Sequence, residues 1–262
     1  MKKEDKTKLS VVVIAKNEEA NIEECLESLQ EMADEIILVD TGSKDNTVTI
    51  AKKYKAKIVQ LEGGTFSKWR NEGLKKAVGN WIFYIDADER VTPLLRKEIN
   101  KLTNEPVSQF SAYAIPRRNF ILGKEMKYGG WFPDYVKRLY KKNSLQKWKG
   151  DLHEEPVFEG EMGHLEHPLI HKKHDSLADM VEKTNNWSNI EARLLYEDSH
   201  PKMAWWRFIS IMLSEFYLRV VKLKGYKDGP EGIIYAFYQV WSRFMTYAKL
   251  WEMQLKSSKL EK

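Results

Sequence analysis

The hydrophobic positions of the first hundred residues alternate between two patterns. Short continuous apolar runs predict buried strands at residues 9–15, 35–39, 57–61 and 81–85. Between these runs, apolar residues recur at helical spacing and predict helices over 18–30, 47–54, 67–78 and 93–102. Alternating strands and helices indicate an α/β protein with a mostly parallel sheet flanked by helices. In such sheets ligands bind beyond the carboxyl ends of the strands.

The pattern changes after residue 105. Two short strands are predicted at 112–116 and 136–140, within loops rich in Gly, Trp and charged residues. Helical spacing then returns over 177–197, 203–223 and 232–255. We therefore predict a domain over 8–175, with halves at 8–105 and 106–175, and a C-terminal helical extension over 176–262.

Composition narrows the class of protein. The 262 residues are 42% hydrophobic and 31% charged, close to globular averages, which argues against disordered and membrane-spanning proteins. The net charge of +5 is modest and its signs are mixed along the chain, so nucleic acid is not favoured as a partner, whereas anionic small molecules or membrane surfaces are. Cys25 has no internal disulfide partner and no signal peptide is recognised, so we predict a cytoplasmic protein.

Asp86 and Asp88 are the first candidates for chemistry. They follow the apolar run 81–85 and are two residues apart, so both carboxylates can converge at the end of one strand. Two carboxylates so close favour a divalent, oxygen-seeking cation such as Mg²⁺ or Mn²⁺, shared with diphosphate oxygens. A cap of the following helix or turn is the alternative role for this pair.

Two further strand ends carry polar residues. Asp40 ends the second strand, before a loop that could hold a base and ribose and in which Asp45 or Asn46 can cap the next helix. Asn17 and Glu18 follow the first strand, where Asn17 can also be a helix cap. Three polar strand ends at one edge of a sheet predict a ligand site there.

These motifs resemble those of glycosyltransferase family 2, whose GT-A fold has a Rossmann-like sheet. The resemblance is carried by SVVVIAKNE at 10–18, ILVDTGSKD at 37–45 and DADER at 86–90, and it covers roughly residues 8–175. The similarity is greatest to bacterial lipopolysaccharide core biosynthesis glycosyltransferases. It implies inverting, hexosyltransferase-like transfer from a nucleotide diphosphate sugar, with Mg²⁺ or Mn²⁺. It also implies that 8–105 is the nucleotide-sugar half and 106–175 the acceptor half.

The resemblance implies roles for individual residues. Glu18 and Asp40 correspond to base and ribose contacts, Asp86 to a donor contact, and Asp88 to the metal ligand beside the diphosphate. His171 is the candidate that completes the metal shell, with an ordinary loop histidine as the alternative. The full set of predicted nucleotide-sugar contacts is Ala15, Asn17, Glu18, Asp40, Lys68, Arg70, Asn71, Asp86 and Ala87. For Lys68 and Arg70, which suit phosphate, a solvated helix face is the alternative.

Inversion requires a base that removes the proton of the attacking acceptor hydroxyl. The segment DLHEE at 151–155 resembles the base position of the family, and we predict Glu154 as the catalytic base. The family commonly has Glu-Asp there, whereas this chain has His153-Glu154, so Glu155 stays the alternative. The Gln-x-x-Arg-Trp element typical of processive synthases is absent, which favours transfer of a single sugar.

Acceptor contacts are predicted between these motifs, at Arg117, Trp131 and Asp134. Aromatic residues beside glycines make sugar platforms, and arginines suit phosphate or anionic acceptors. A packed loop is the alternative for this segment. The predicted acceptor is a glycan or a lipid-linked molecule.

The C-terminal segments 203–223 and 233–250 mix Trp and other apolar residues with Lys and Arg. Such helices can lie at the inner face of the cytoplasmic membrane or pack on the catalytic domain, and both interpretations stay open. Two functions compete for the whole chain. One is an enzyme of cell-envelope polysaccharide or lipopolysaccharide biosynthesis, and the other is a non-catalytic nucleotide-sugar or glycan-binding scaffold. The intact Asp-x-Asp and the candidate base favour the enzyme.

Overall fold

The computed structural model describes residues 9–105, 108–150 and 154–260, with side chains up to residue 257. The chain forms two compact units. The first comprises the chain up to Arg118 together with Asp134–His171, and the second comprises Asn119–Pro133 and the chain from Lys172 onward. This division groups residues 119–133 with the C-terminal helices, which the sequence did not suggest. The domain boundaries at 105 and 175 stay a prediction.

The first unit opens with alternating strands and helices. They are β1 (Leu9–Ala15), α1 (Ile22–Leu29), β2 (Glu35–Asp40), α2 (Thr47–Lys53), β3 (Lys57–Gln60), α3 (Phe66–Lys76), β4 (Trp81–Asp86), β5 (Glu89–Val91) and α4 (Pro93–Asn104). Strands β3, β2, β1 and β4 lie side by side in that order, and each pairing is parallel. Their apolar runs are continuous because β1, β2 and β4 are buried along almost their whole length. The predicted α/β class is confirmed.

The next strands pair mainly in the antiparallel sense. They are β6 (Ala112–Ile121), β7 (Lys124–Met126), β8 (Asp134–Lys141), β9 (Leu145–Lys149), β10 (Glu155–Phe158), β11 (Met162–His164) and β12 (Leu169–His174). Strand β8 is antiparallel to β4 and β6, β12 to β5, and β10 to β9. The sequence did not predict β5, β7 or β9 to β12. These strands have three to six residues and mix polar with apolar positions, so their periodicity is weak.

Two local features shape the edge of the sheet that carries the motifs. Helix α1 begins at Ile22 rather than at residue 18, because Asn17 has a left-handed φ of 55° and the chain turns before the helix starts. Helix α3 lies very close to the sheet at Gly73, where a Cβ would come within 2.4 Å of Val12 Cγ1. This close approach places the buried face of α3, which includes Arg70, against the sheet.

The second unit is mainly helical. Its helices are α5 (Leu177–Glu197), α6 (Trp205–Phe216), a π-helical segment (Tyr217–Lys222), a 3₁₀ turn (Gly225–Asp228) and α7 (Gly229–Leu260). The predicted helical extension is therefore confirmed, although the segment predicted at 203–223 starts two residues later and becomes π-helical after Phe216. Within residues 9–105, 108–150 and 154–260, no helix is both long enough and apolar enough to cross a bilayer.

Candidate active site

Three strand ends of the first unit lie side by side, as the sequence predicted. Strand β1 lies between β2 and β4, with Ala15 opposite Asp40 and Ile14 opposite Asp86. Asp40 and Asp86 are therefore the last residues of the two strands that flank β1. Since all three strands are parallel, these ends share one edge of the sheet.

The loops after β1 and β2 hold each other in place. Asn17 accepts the N–H of Lys44 at 2.8 Å, and its own N–H donates to Ser43 Oγ at 2.9 Å. Asp40 is buried and accepts the N–H of Ser43 at 3.1 Å. The N–H of Glu18 donates to Thr47 Oγ1 at 2.8 Å, and the Glu18 carboxylate accepts a hydrogen bond from Asn21 Nδ2 at 2.9 Å. These contacts bring together three of the predicted nucleotide contacts, Asn17, Glu18 and Asp40, beside the backbone of Ala15.

Asp86 lies at the centre of a network of alternating charges. Its carboxylate accepts hydrogen bonds from Nη2 of Arg138 and, at 3.5 Å, from Nη2 of Arg70. Arg138 also donates to Glu89 Oε1 at 2.9 Å, and Glu89 accepts the N–H of Asp86 at 3.0 Å. Arg70, Glu89 and Arg138 are buried, so each of these ions depends on its partners.

The network extends to both sides. On one side Arg70 Nε donates to Glu154 Oε1 at 2.9 Å. On the other side Arg117 lies 3.2 Å from Glu89 Oε1 and 2.8 Å from Asp134 Oδ2. We call these seven residues the charged network: Glu154, Arg70, Asp86, Arg138, Glu89, Arg117 and Asp134.

The arginines keep Asp86 ionised. Burial alone raises the pKa of Asp86, but the guanidinium groups of Arg138 and Arg70 outweigh burial and hold that pKa well below its usual range. Because the Asp86 side chain is 30% exposed, its carboxylate is not sealed from a ligand. Both carboxylate oxygens of Asp86 are already paired with arginines, so they have less negative charge to offer a metal ion.

Asp88 and His171, the two predicted metal ligands, lie next to each other. Strand β12 pairs with β5 so that His171 is opposite Glu89, and His171 Nε2 lies 3.4 Å from Asp88 Oδ2. The described residues contain no group of three or more His, Cys, Asp or Glu that could hold a metal. Asp88 nevertheless offers carboxylate oxygens, the ligands that Mg²⁺ and Mn²⁺ prefer, and the imidazole can join them when diphosphate oxygens and water complete the shell.

The two candidate bases have different surroundings. Glu154 is 15% exposed and is joined to Asp86 through Arg70, whose guanidinium lies 4.9 Å from the ring of Trp148. Glu155 is 60% exposed and pairs with Lys137 at 2.5 Å. The geometry thus favours Glu154, whose role as base stays a prediction. His153, which defines the motif with Glu154, lies outside the described residues.

Three other predicted donor contacts have distinct positions. Lys68 is exposed on α3. The amide of Asn71 is used within the protein, because it accepts the N–H of Trp148 at 2.8 Å and donates to the carbonyl of Trp148 at 2.9 Å. Ala87 is buried, and its carbonyl accepts a hydrogen bond from Arg90 at 2.8 Å. Ligand contacts at these positions stay predictions.

The three predicted acceptor-side residues are not all together. Arg117 and Asp134 pair with each other in the charged network. Trp131 belongs to the second unit, where its ring lies 5.2 Å from that of Tyr235 and the ammonium of Lys173 lies 5.1 Å from the Trp131 ring. The packed-loop alternative therefore describes the surroundings of Trp131, and its contact with an acceptor stays a prediction.

No individual role was predicted for Glu89 or Arg138, although Arg138 contacts Asp86 directly and Glu89 accepts the N–H of Asp86. Burial of an ion leaves no periodic signal, and Glu89 lies in a strand of three residues. The available signal was position, since Glu89 directly follows the Asp-x-Asp motif and Arg138 lies on the strand that pairs with β4. Without the pairing of β8 with β4, no pattern links the two residues.

Comparisons with known proteins identify the family of the chain. Residues 10–158 match the profile of Glycosyl transferase family 2. An uncharacterized glycosyltransferase of Rickettsia typhi is 28% identical over 95% of this chain and 89% of its own length. The lipopolysaccharide core biosynthesis glycosyltransferase LpsC of Rhizobium meliloti is 26% identical over 94% and 93%. Among solved structures, a Mycobacterium tuberculosis glucosyl-3-phosphoglycerate synthase with Mn²⁺, uridine-diphosphate and phosphoglyceric acid has a TM-score of 0.48 and 18% identity, over 72% of this chain and 78% of that one.

Proposed function

The chain belongs to glycosyl transferase family 2, and we propose that it is an inverting, metal-dependent enzyme that moves a single sugar from a nucleotide diphosphate sugar to a glycan or lipid-linked acceptor. The single observation that carries this proposal is the contact of Arg70 with both Asp86 and Glu154. It joins the predicted donor contact to the predicted base. The relative named for lipopolysaccharide core biosynthesis supports a role in cell-envelope polysaccharide or lipopolysaccharide synthesis.

The donor half binds the nucleotide at the strand ends. Asp40 and Glu18 face the base and ribose in this proposal, with Asn17 fixing the loop between them. The ionised Asp86 accepts hydrogen bonds from donor hydroxyls. Arg70 Nη1 is buried and has no hydrogen-bond partner among the described residues. An anionic leaving group would satisfy it, because a guanidinium binds phosphate oxygens strongly.

Asp88 and His171 are the residues that would hold Mn²⁺ or Mg²⁺. When bound, such an ion supplies positive charge that stabilises the departing diphosphate. Asp86 is the weaker candidate ligand, because two arginines already neutralise it. The division of roles is therefore Asp88 for the metal and Asp86 for the donor.

Glu154 is the base in the transfer step. Its carboxylate accepts the proton of the acceptor hydroxyl, and the hydroxyl oxygen forms a bond to the anomeric carbon from the face opposite the diphosphate. The bond from that carbon to the diphosphate oxygen breaks, and the nucleoside diphosphate leaves with the electron pair. Arg70 positions Glu154, since it donates to this carboxylate from a buried site stacked on Trp148.

Slow donor hydrolysis tests the proposal without a known acceptor. The protein is incubated with Mn²⁺ and a panel of nucleotide sugars, and release of nucleoside diphosphate is measured. We expect Asp88→Ala and Glu154→Gln to lower the rate at least about 100-fold, as expected for loss of a metal ligand or a general base. Glu155→Gln is the matched control, and it should change the rate less than about twofold because Glu155 is exposed.

The competing scaffold function has its own outcome. A thermal-shift screen of the same nucleotide sugars reports binding whether or not turnover occurs. Thermal stabilisation by one nucleotide sugar, with no hydrolysis of that donor and no sugar transfer in the presence of any metal ion, would support a non-catalytic scaffold. Hydrolysis that Asp88→Ala and Glu154→Gln leave unchanged would reject the site assignment instead.

A further inference from the structure

One face of the helix α6 and its π-helical continuation is apolar and exposed. Five residues four positions apart form it, with side chains between 45% and 76% exposed. We call them the outer strip: Trp205, Ile209, Leu213, Tyr217 and Val221. Trp206, next to the strip, is also more than half exposed, and the guanidinium of Arg207 lies 4.8 Å from its ring. Exposed apolar patches of this kind usually mark a contact surface.

The π-helical segment limits how far the strip turns around the helix axis. In an α-helix a step of four residues overshoots one turn by about 40°, so positions four apart drift around the axis. A π-helix has i→i+5 hydrogen bonds and needs more than four residues per turn, so the same step falls short of a turn. The change to π geometry at Tyr217 therefore reverses the drift before Val221. The exposed face stays continuous over both segments.

The side of α6 away from the outer strip fixes the helix to α7. Phe208 packs against the buried cluster that contains Leu250 of α7, and its ring lies 5.9 Å from that of Phe244. Glu215 on this side is buried and pairs with Arg219. Because α7 holds the inner face, α6 presents the outer strip on a fixed support.

The exposed charges of this segment have one sign. Residues 201–227 contain six basic residues: Lys202, Arg207, Arg219, Lys222, Lys224 and Lys227. The same stretch has one acidic residue, the buried Glu215. Asp228, the next acid, is buried and accepts the N–H groups of Lys127 and Tyr128. A ligand for this surface therefore has to offer both apolar and anionic groups.

We propose that the outer strip lies in the headgroup region of an anionic lipid bilayer, with the lysines of residues 201–227 against lipid phosphates. Trp, Tyr and aliphatic residues with flanking Lys and Arg are the side chains that bind at such interfaces. A second copy of the chain fits less well, because it would bring the same basic residues together without supplying anionic groups to pair with them. The inference deepens the proposed function, on which it rests for the lipid-linked acceptor.

Sedimentation of the full chain with vesicles tests this inference. The probes are phosphatidylcholine vesicles with and without about one-third phosphatidylglycerol. We expect the chain to sediment with the anionic vesicles and to be released by high salt, which screens the lysines. The triple variant Trp205→Ser, Leu213→Ser, Tyr217→Ser should bind the anionic vesicles at least about tenfold more weakly than the wild type. In the double variant Lys222→Ala, Lys224→Ala, the affinity for these vesicles should fall about fivefold for each lysine removed.

A double variant of α5 is the matched control. Leu177→Ser, Val181→Ser removes two apolar side chains of the same unit that are also about half exposed, and it should bind vesicles as the wild type does. Thermal unfolding checks that each variant is folded. Equal binding of wild type and triple variant overturns the inference. The inference is also wrong if the protein does not bind anionic vesicles but self-associates through the outer strip, because the partner is then a second copy of the chain.

Donor hydrolysis in the absence of vesicles separates this inference from the proposed function. The triple variant should hydrolyse donor at the wild-type rate, because no strip residue belongs to the charged network. If the wild type binds vesicles but does not hydrolyse any donor, the proposed enzymatic function is wrong and the membrane-binding surface stands. If it hydrolyses donor but does not bind vesicles, the enzymatic function stands and the membrane-binding surface is wrong.

Discussion

In the first unit, a network of seven charged side chains has its central members buried, whereas in the second unit five apolar side chains of one helix face are exposed. Each arrangement reverses the usual partition of residues between interior and surface. The buried ions are compensated by one another, since every arginine of the network contacts two carboxylates. The outer strip has no such compensation from the described residues.

This difference predicts how the two regions respond to substitution. A buried ion left without its partner destabilises the fold strongly, because its charge stays out of water. An exposed apolar residue contributes little to folding, and its removal affects contacts with other molecules instead. Substitutions in the charged network should therefore lower both stability and activity, whereas substitutions in the outer strip should affect binding to other molecules without lowering stability.

Glu89→Gln should give the largest loss of stability. Glu89 is fully buried between Arg138 and Arg117, so removal of its charge leaves two cations undercompensated. We expect the free energy of unfolding to fall by about 3–5 kcal/mol, measured by urea denaturation. Glu72→Gln, in the surface pair with Lys75 at 2.7 Å, is the control and should change it by less than about 0.5 kcal/mol. Equal effects of the two substitutions would mean that burial of the network contributes nothing.

Protonation of His174, in the second unit, should change stability by an intermediate amount. It is buried with Nδ1 2.8 Å from Asp179, and burial lowers the pKa of His174 to about 4 in spite of the carboxylate. The unfolded chain, with a histidine pKa of about 6.5, therefore binds a proton at a higher pH than the folded protein does. Stability should drop by about 2 kcal/mol between about pH 7.5 and about pH 5, and continue to fall toward pH 4.

Urea denaturation at several pH values measures this dependence. His174→Gln removes the titrating group, so this variant should lack the fall of about 2 kcal/mol in the free energy of unfolding. His164→Gln is the control, because His164 is exposed in the first unit, and it should keep the wild-type dependence. A wild-type pH dependence in His174→Gln would exclude a buried neutral His174.

The parallel part of the fold could be predicted because its strands are buried on both faces. Continuous apolar runs such as residues 9–15 and 81–85 are typical of such strands, and the polar residues that follow them must lie at one sheet edge. The strand ends at Asp40 and Asp86 were predicted in this way. Periodicity carries no information about which ligand they bind, and only the resemblance to a family indicated one.

The contacts within the site could not be predicted in the same way. Arg70 and Glu154 were chosen separately and are 84 residues apart, so their hydrogen bond depends on how β9 and β10 follow the sheet. The proximity of His171 and Asp88 depends on the pairing of β5 with β12, two short strands that the pattern did not reveal. The π-helical segment after Phe216 could not be predicted either, because Tyr217–Lys222 has no distinctive composition.

The smallest expected effect is that of Leu213→Ala, and it is informative because the same substitution elsewhere in the unit should behave differently. Leu250 is fully buried in the cluster with Ala192 and Met203, so Leu250→Ala should lower the free energy of unfolding by about 2–5 kcal/mol. Leu213 is 63% exposed, and Leu213→Ala should change it by less than about 0.5 kcal/mol while weakening vesicle binding. A loss of stability at Leu213 comparable to that at Leu250 would show that the outer strip is covered in the folded protein, and the contrast between paired buried charges and uncovered apolar side chains would then fail.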